Sequence, residues 1–157
     1  MSKVAVINCT EYSLEKVYKA LKEGLDFIGG IEAIIPKDKK VLLKPNMLVA
    51  SHPDKAATTH PVVFEAIAKI LHEKNYDITF GDSPGFGNPA KVAEKCGLLQ
   101  VANKYDIPQA DFVGGNKVSF SDGVVCKQFD IANGIIEADA IINLPKMKSH
   151  ALQRITG

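Results

Sequence analysis

The sequence predicts an α/β fold, a mostly parallel sheet with helices on both faces in a Rossmann-like arrangement. Three observations predict it. Short β-rich runs alternate with amphipathic helical stretches, the pattern of strands joined by helical crossovers. The 157 residues, 46% of them hydrophobic, suffice for one ordinary core and are too few for two. The most apolar run, "ADAIINLP" at 138–145, is nearly continuous in the way a strand covered on both faces requires.

Each element follows in order. "KVAVINC" (3–9) reads as the first strand. A helix starts at Ser13, a suitable cap, and runs through "LEKVYKALKEGLDF" to a stop at Gly29-Gly30. "KKVLLKPN" (39–46) is the second strand. "THPVVFEAIAKILHEKN" combines a threonine near the cap, Pro61 in the first turn and apolar residues at helical spacing. "YDITFGDSPG" (76–85) is a third strand ending in a glycine-proline turn. "NPAKVAEKCG" and "LLQVANKYD" form two helices broken near Gly97. Residues 111–134 are less regular and read as a short hairpin or antiparallel edge. "ADAIINLP" closes the sheet as a central strand. We expect a single domain over 1–157.

Composition narrows the function. Nineteen basic against eighteen acidic residues leave a net charge of +1, so no global field draws the chain to nucleic acid or to a membrane surface. No apolar stretch approaches the roughly 18 residues of a bilayer span, and the start of the chain has no signal-peptide core. Three cysteines without C-x-x-C spacing fit a reducing compartment, so the expected location is cytoplasmic.

Ligands of doubly wound sheets bind outside the carboxyl ends of the strands, where loops converge and helix N-termini offer N–H groups. At those ends the sequence places Cys9 and Thr10, then Lys44 and Asn46, then Gly81, Asp82, Ser83 and Gly85, and finally Lys146, Lys148 and His150. Thr58, Thr59 and His60 precede the helix that follows the second strand. Lys44, Lys146 and Lys148 beside a helix N-terminus would favour phosphate or carboxylate; the plainer alternative is that each lysine extends to solvent or pairs with Asp82. For catalysis, His150 or Asp82 would move a proton while Lys146 stabilises developing charge. Lys44, Asn46, Thr59, His60, Ser83, Gly85 and Lys148 would hold the ligand. "GFGNPA" (85–90) matches G-x-G-x-x-[GA], but the strand ends well before the first glycine and Pro89 interrupts the motif, so a turn that shapes a loop is favoured over a dinucleotide site. His60, His150 and Asp82 come from three loops without ligand spacing, and no metal site is expected.

"LLKPNMLV", "ATTHPVVFEAIAKIL", "GDSPG" and "DAIINLPKMKSH" before a final "TG" resemble, in order, the motifs of the DUF362 family, a domain of unknown function. The resemblance covers about residues 40–157. It implies redox or cofactor-linked metabolism, since many family members carry a ferredoxin-like cysteine cluster. With three scattered cysteines this chain is expected to hold no iron-sulfur cluster alone, and its cofactor is unknown. The family continues beyond Thr156-Gly157, so the chain reads as the N-terminal part of a longer family domain with an incomplete sheet. Implied partners are an anionic small molecule, an iron-sulfur domain or protein, and a second copy meeting an exposed edge strand. The alternative function is a non-catalytic module that docks an electron-transfer partner.

Overall fold

A computed structural model describes residues 3–157. Helix α1 (Leu14–Ile28) starts at Ser13 in extended conformation and stops at Gly29, whose φ of 114° is the left-handed conformation that glycine adopts without steric cost. A short helix, α2 (Ile31–Ile34), leads into strand β1 (Lys40–Pro45). One 3-10 turn at Pro53–Lys55 precedes helix α3 (Pro61–His72), and strand β2 (Asp77–Phe80) follows. Helices α4 (Pro89–Lys95) and α5 (Leu98–Lys104) break at Gly97, as the sequence suggests. Strands β3 (Gly115–Ser119) and β4 (Gln128–Ala132) make the antiparallel hairpin. Helix α6 (Asn133–Ile136) leads into β5 (Ala140–Leu144), and a last hairpin joins β6 (Lys148–His150) to β7 (Arg154–Thr156).

The parallel sheet has the order β2-β1-β5, with Leu43 opposite Phe80 on one side and Ile142 on the other. Val41, Leu43 and Phe80 are fully buried in a core shared with Phe64, Ile67 and Leu71 of α3 and Leu98 and Ala102 of α5. Helix α1 packs on α3 in the same layer. Such burial at the centre of a parallel sheet follows from β1 carrying three consecutive apolar residues, "VLL".

Three expectations are corrected. Residues 3–9 form no strand: Ala5 and Ile7 approach Gly24 of α1, while Val4 and Val6 are 76% and 91% exposed. The period-2 pattern is there, but no neighbouring strand supplies hydrogen bonds, and a lone strand cannot stand. Strand β5 is an edge rather than the centre, because β1 already has both neighbours. Its apolar run is buried on one face only, with Leu144 in the core and Ile141 46% exposed. The second face of the sheet is covered unevenly rather than by a full helix layer. Leu42 is buried there, and Phe112 lies so close to Gly81 and Gly134 that a Cβ on either would collide with its ring. The fold is therefore mixed α/β, with a three-stranded parallel sheet and two small antiparallel pairs.

The centre and the edge should respond differently to truncation. Leu43→Ala is expected to cost about 2 to 5 kcal/mol, and Ile141→Ala less than about 1 kcal/mol, in urea unfolding. Equal losses would show that β5 is as enclosed as β1.

Candidate functional site

The carboxyl ends of β1, β2 and β5 share one edge, and three loops are knotted there. The Thr59 hydroxyl accepts from the Asn46 N–H at 2.8 Å and donates to the Leu144 carbonyl at 2.5 Å; its own N–H donates to the Asn46 carbonyl at 3.0 Å. One buried threonine thus joins the end of β1, the approach to α3 and the end of β5. Asp82, 6% exposed, accepts from the Met47 N–H at 2.8 Å and from Lys44 Nζ at 2.6 Å. Gly85 and Phe86 donate their N–H groups to the Leu48 carbonyl, which fixes the loop after β2 against the loop after β1. A charge as buried as that of Asp82 requires such partners.

Lys148 reaches into this knot. Its ammonium donates to Asn46 Oδ1 at 2.5 Å and to the Ala57 carbonyl at 2.8 Å, both neutral acceptors. Burial pushes its pKa down, against the attraction of Asp82, and Lys146 adds repulsion. Lys146 donates to the Tyr12 hydroxyl at 3.0 Å and lies 5.5 Å from the centre of that ring. Tyr12 stacks on His60 with ring centres 3.7 Å apart and planes 6° from parallel. His60 caps α3, its Nδ1 accepting from the Val62 N–H at 3.2 Å. Burial, then Lys146, lowers its pKa, so the ring is neutral at pH 7 and can accept that bond.

The structure therefore brings together Lys44, Asn46, Thr59, His60, Asp82, Lys146 and Lys148. Gly85 sits close by as a backbone anchor, and Ser83 is exposed in the same loop. His150 is placed differently. It lies at the turn of the β6–β7 hairpin, where Nδ1 accepts from the Leu152 and Gln153 N–H groups at 3.1 Å each. That nitrogen is committed to the turn, and the imidazole is joined to the cluster by no hydrogen bond among the described residues.

The start of α3 also differs from the expectation of free donors. Pro61 has no N–H, Val62 donates to the His60 ring, and Val63 and Phe64 donate to the His60 carbonyl. The helix lends its dipole without an open amide. In the turn "GFGNPA" several amides are likewise engaged, Gly85 and Phe86 with the Leu48 carbonyl and Ala90 with Asn88 Oδ1, which also accepts from Lys91. Among the described residues no three His, Cys, Asp or Glu side chains converge as metal ligands. Cys9 and Cys126 lie in separate loops and Cys96 caps α4.

Sequence reasoning missed Tyr12 and the Ala57 carbonyl. Tyr12 stands next to the Ser13 cap, where an aromatic residue carries no signal of its own in the sequence. It also borders a mostly apolar cavity of about 660 Å³ between residues 3–12 and α1, lined by Ile7, Cys9, Leu21, Leu25 and Val63 among others.

The model of the family described as "Domain of unknown function (DUF362)" matches residues 41–157, three-quarters of the chain. The chain belongs to this family. A curated relative, the thylakoid-associated protein sll1697 of Synechocystis sp., is 33% identical over 153 residues, which cover 98% of this chain and 47% of the relative. The chain thus spans about half the length of that relative. No solved structure matches. The DUF362 match contains the knot formed by Asn46, Thr59, Asp82, Leu144 and Lys148, whereas Tyr12 lies before it.

Two predictions follow from this geometry. Asp82→Ala orphans the Met47 N–H and the Lys44 ammonium, and should cost about 1 to 3 kcal/mol in chemical unfolding. A loss within the error of the measurement would show that Asp82 holds nothing. For His60 the folded pKa lies below its ordinary value of about 6.5. The unfolded chain then takes up the proton first, so this contribution is complete above that value and is lost as pH falls through the folded pKa. His60→Asn keeps a capping acceptor and removes the titration. Its stability should fall less steeply than wild type below pH of about 6.5; identical slopes would refute the assignment.

Proposed function

We propose that this member of the DUF362 family binds a small anionic molecule, a phosphate or carboxylate, at the carboxyl edge of its sheet. One observation carries the proposal. Lys44 is neutralised by Asp82, whereas Lys146 and Lys148 donate to neutral oxygens and have no carboxylate partner among the described residues. Two ammonium groups so held, one of them partly desolvated, gain from an anion that joins them. The apolar cavity that ends at Tyr12 favours an anion carried on an apolar body. In such a complex Lys146 and Lys148 hold the charge, Asn46 and Thr59 fix their positions, and the neutral His60 ring supports Tyr12. If the bound molecule is transformed, Asp82 is tied to Lys44 and Met47, and His150 keeps only Nε2 available for proton transfer. The setting of this proposal is redox or cofactor-linked metabolism, as the resemblance to iron-sulfur-associated family members implies, with a cytoplasmic location.

A second reading has its own support. Met147, Leu152 and Ile155 are exposed on and beside the β6–β7 hairpin, next to Lys146. An apolar patch with a basic rim suits an acidic protein partner such as an electron-transfer domain. Among the described residues no helix is long and apolar enough to cross a membrane. The relative's thylakoid association is compatible with docking to a membrane-bound partner of that kind.

Calorimetry separates the readings. Inorganic phosphate should bind, hexyl phosphate should bind more tightly, and Lys146→Ala should weaken both by about tenfold or more, the worth of a charge-assisted hydrogen bond. Lys91→Ala, a change at an exposed position of α4, should alter neither. Absence of binding by either phosphate to wild type would overturn the small-molecule reading and leave the docking surface.

A further inference from the structure

Helix α1 presents Val17, Leu21, Leu25 and Ile28 at helical spacing, with the small residues Ala20 and Gly24 between them, to the cavity beside residues 3–12. Only Val17 in this helix is fully buried. The other wall alternates: Ala5, Ile7 and Cys9 border the cavity, whereas Val4 and Val6 are exposed to solvent. Among the described residues no backbone hydrogen bond joins 3–12 to another element, so side chains hold this wall in place. Ala5 and Ile7 approach Gly24, Glu11 pairs with Lys16 at 2.8 Å, and Tyr12 rests on His60 and Lys146. Tyr12 adjoins the start of α1 while Ala5 reaches Gly24, so segment and helix run antiparallel.

Size, charge and continuity together define what fits. The segment already lies where another element would pack on α1, and the space left, about 660 Å³, is in the range of sites for one small molecule. Glu11, the acidic residue of the lining, is neutralised by Lys16, and Lys3 adds a positive charge. Tyr12 belongs to the cavity wall and its hydroxyl accepts from Lys146, so the apolar space opens directly beside a cation that has no carboxylate partner among the described residues. We infer that this cavity is the tail site for a single-chain anionic amphiphile, an alkyl phosphate or a fatty carboxylate, whose head lies at Lys146 and whose chain runs from Tyr12 along α1 toward Ile28. The inference rests on the anion site proposed above and gives that site its ligand class. Helix α1 rises about 16 Å from Val17 to Ile28, room for an extended chain. Ala20 and Gly24 keep the floor of the slot low, and a wall held only by side chains can close on the chain once it is bound.

Two measurements on the full chain test this. In calorimetry with inorganic, butyl, hexyl and octyl phosphate, each below its micelle-forming concentration, affinity should rise about two- to fourfold per added methylene. Ala20→Phe fills the slot and should flatten that series while inorganic phosphate binds as before. Cys9 reports the location without any substitution, because its thiol is exposed at the cavity wall. Saturating octyl phosphate should slow alkylation of Cys9 by N-ethylmaleimide severalfold and leave Cys126, exposed in the loop between β3 and β4, at its original rate. Inorganic phosphate should slow neither. Octanoate in place of octyl phosphate decides the head group, and protection of Cys9 by either supports the tail site. Equal affinities along the series with Cys9 unprotected would overturn the tail site and leave the anion site standing. Octyl phosphate that protects Cys9 although inorganic phosphate does not bind would keep the tail site and remove the independent anion site; no binding by any of them refutes both.

Discussion

The Thr59 hydroxyl is the constraint on which the site depends. It ties Asn46 to Leu144, residues that belong to strands laid down far apart in the chain, and it does so at the point where α3 begins. A hydroxyl that is buried is best satisfied when it both donates and accepts, and this one satisfies the Asn46 N–H and the Leu144 carbonyl together. With that knot closed, the side chain of Asn46 is held where Lys148 can reach it, and Pro145 turns the chain so that Lys146 crosses to Tyr12. Serine would keep the bonds and lose only the methyl packing; valine would keep the packing and leave two backbone groups unpaired.

The charge pattern follows from the same closure. Asp82 is so buried that it requires a cation, and Lys44 supplies it from the neighbouring strand. Lys146 and Lys148 are brought to the same edge after that need has been met. Their surplus charge is therefore a property of topology, since in sequence all three lysines look alike. The lowered proton affinity of Lys148 reflects its burial among neutral acceptors, a state that an incoming anion would relieve.

Much of this was legible in the sequence because local signals and tertiary context agree. Pro61 after His60, the Gly29-Gly30 stop and the break at Gly97 each specify backbone conformations that the fold adopts. The gathering of Lys44, Asn46, Thr59, His60, Asp82, Lys146 and Lys148 followed from one rule about the carboxyl ends of parallel strands. The failures have physical causes as well. Residues 3–9 alternate like a strand, but alternation does not reveal whether a partner exists. The apolar run of β5 was read as two-sided burial, although an edge strand with one face in the core and isoleucine on the other carries the same composition. The role of His150 depended on a hairpin, β6–β7, whose turn recruits the ring nitrogen that catalysis would need. Tyr12 was missed because an aromatic residue before a helix has no signature until the chain is folded.

The central claim is that Lys146 and Lys148, and not lysines in general, form the anion site. Side-chain ammonium resonances in a phosphate titration followed by NMR test it most directly. The account predicts that the Lys146 and Lys148 signals shift and saturate together, while Lys44, locked to Asp82, and Lys91 and Lys95 on the surface of α4 do not. Small, unsaturated shifts spread evenly over all lysines would contradict it.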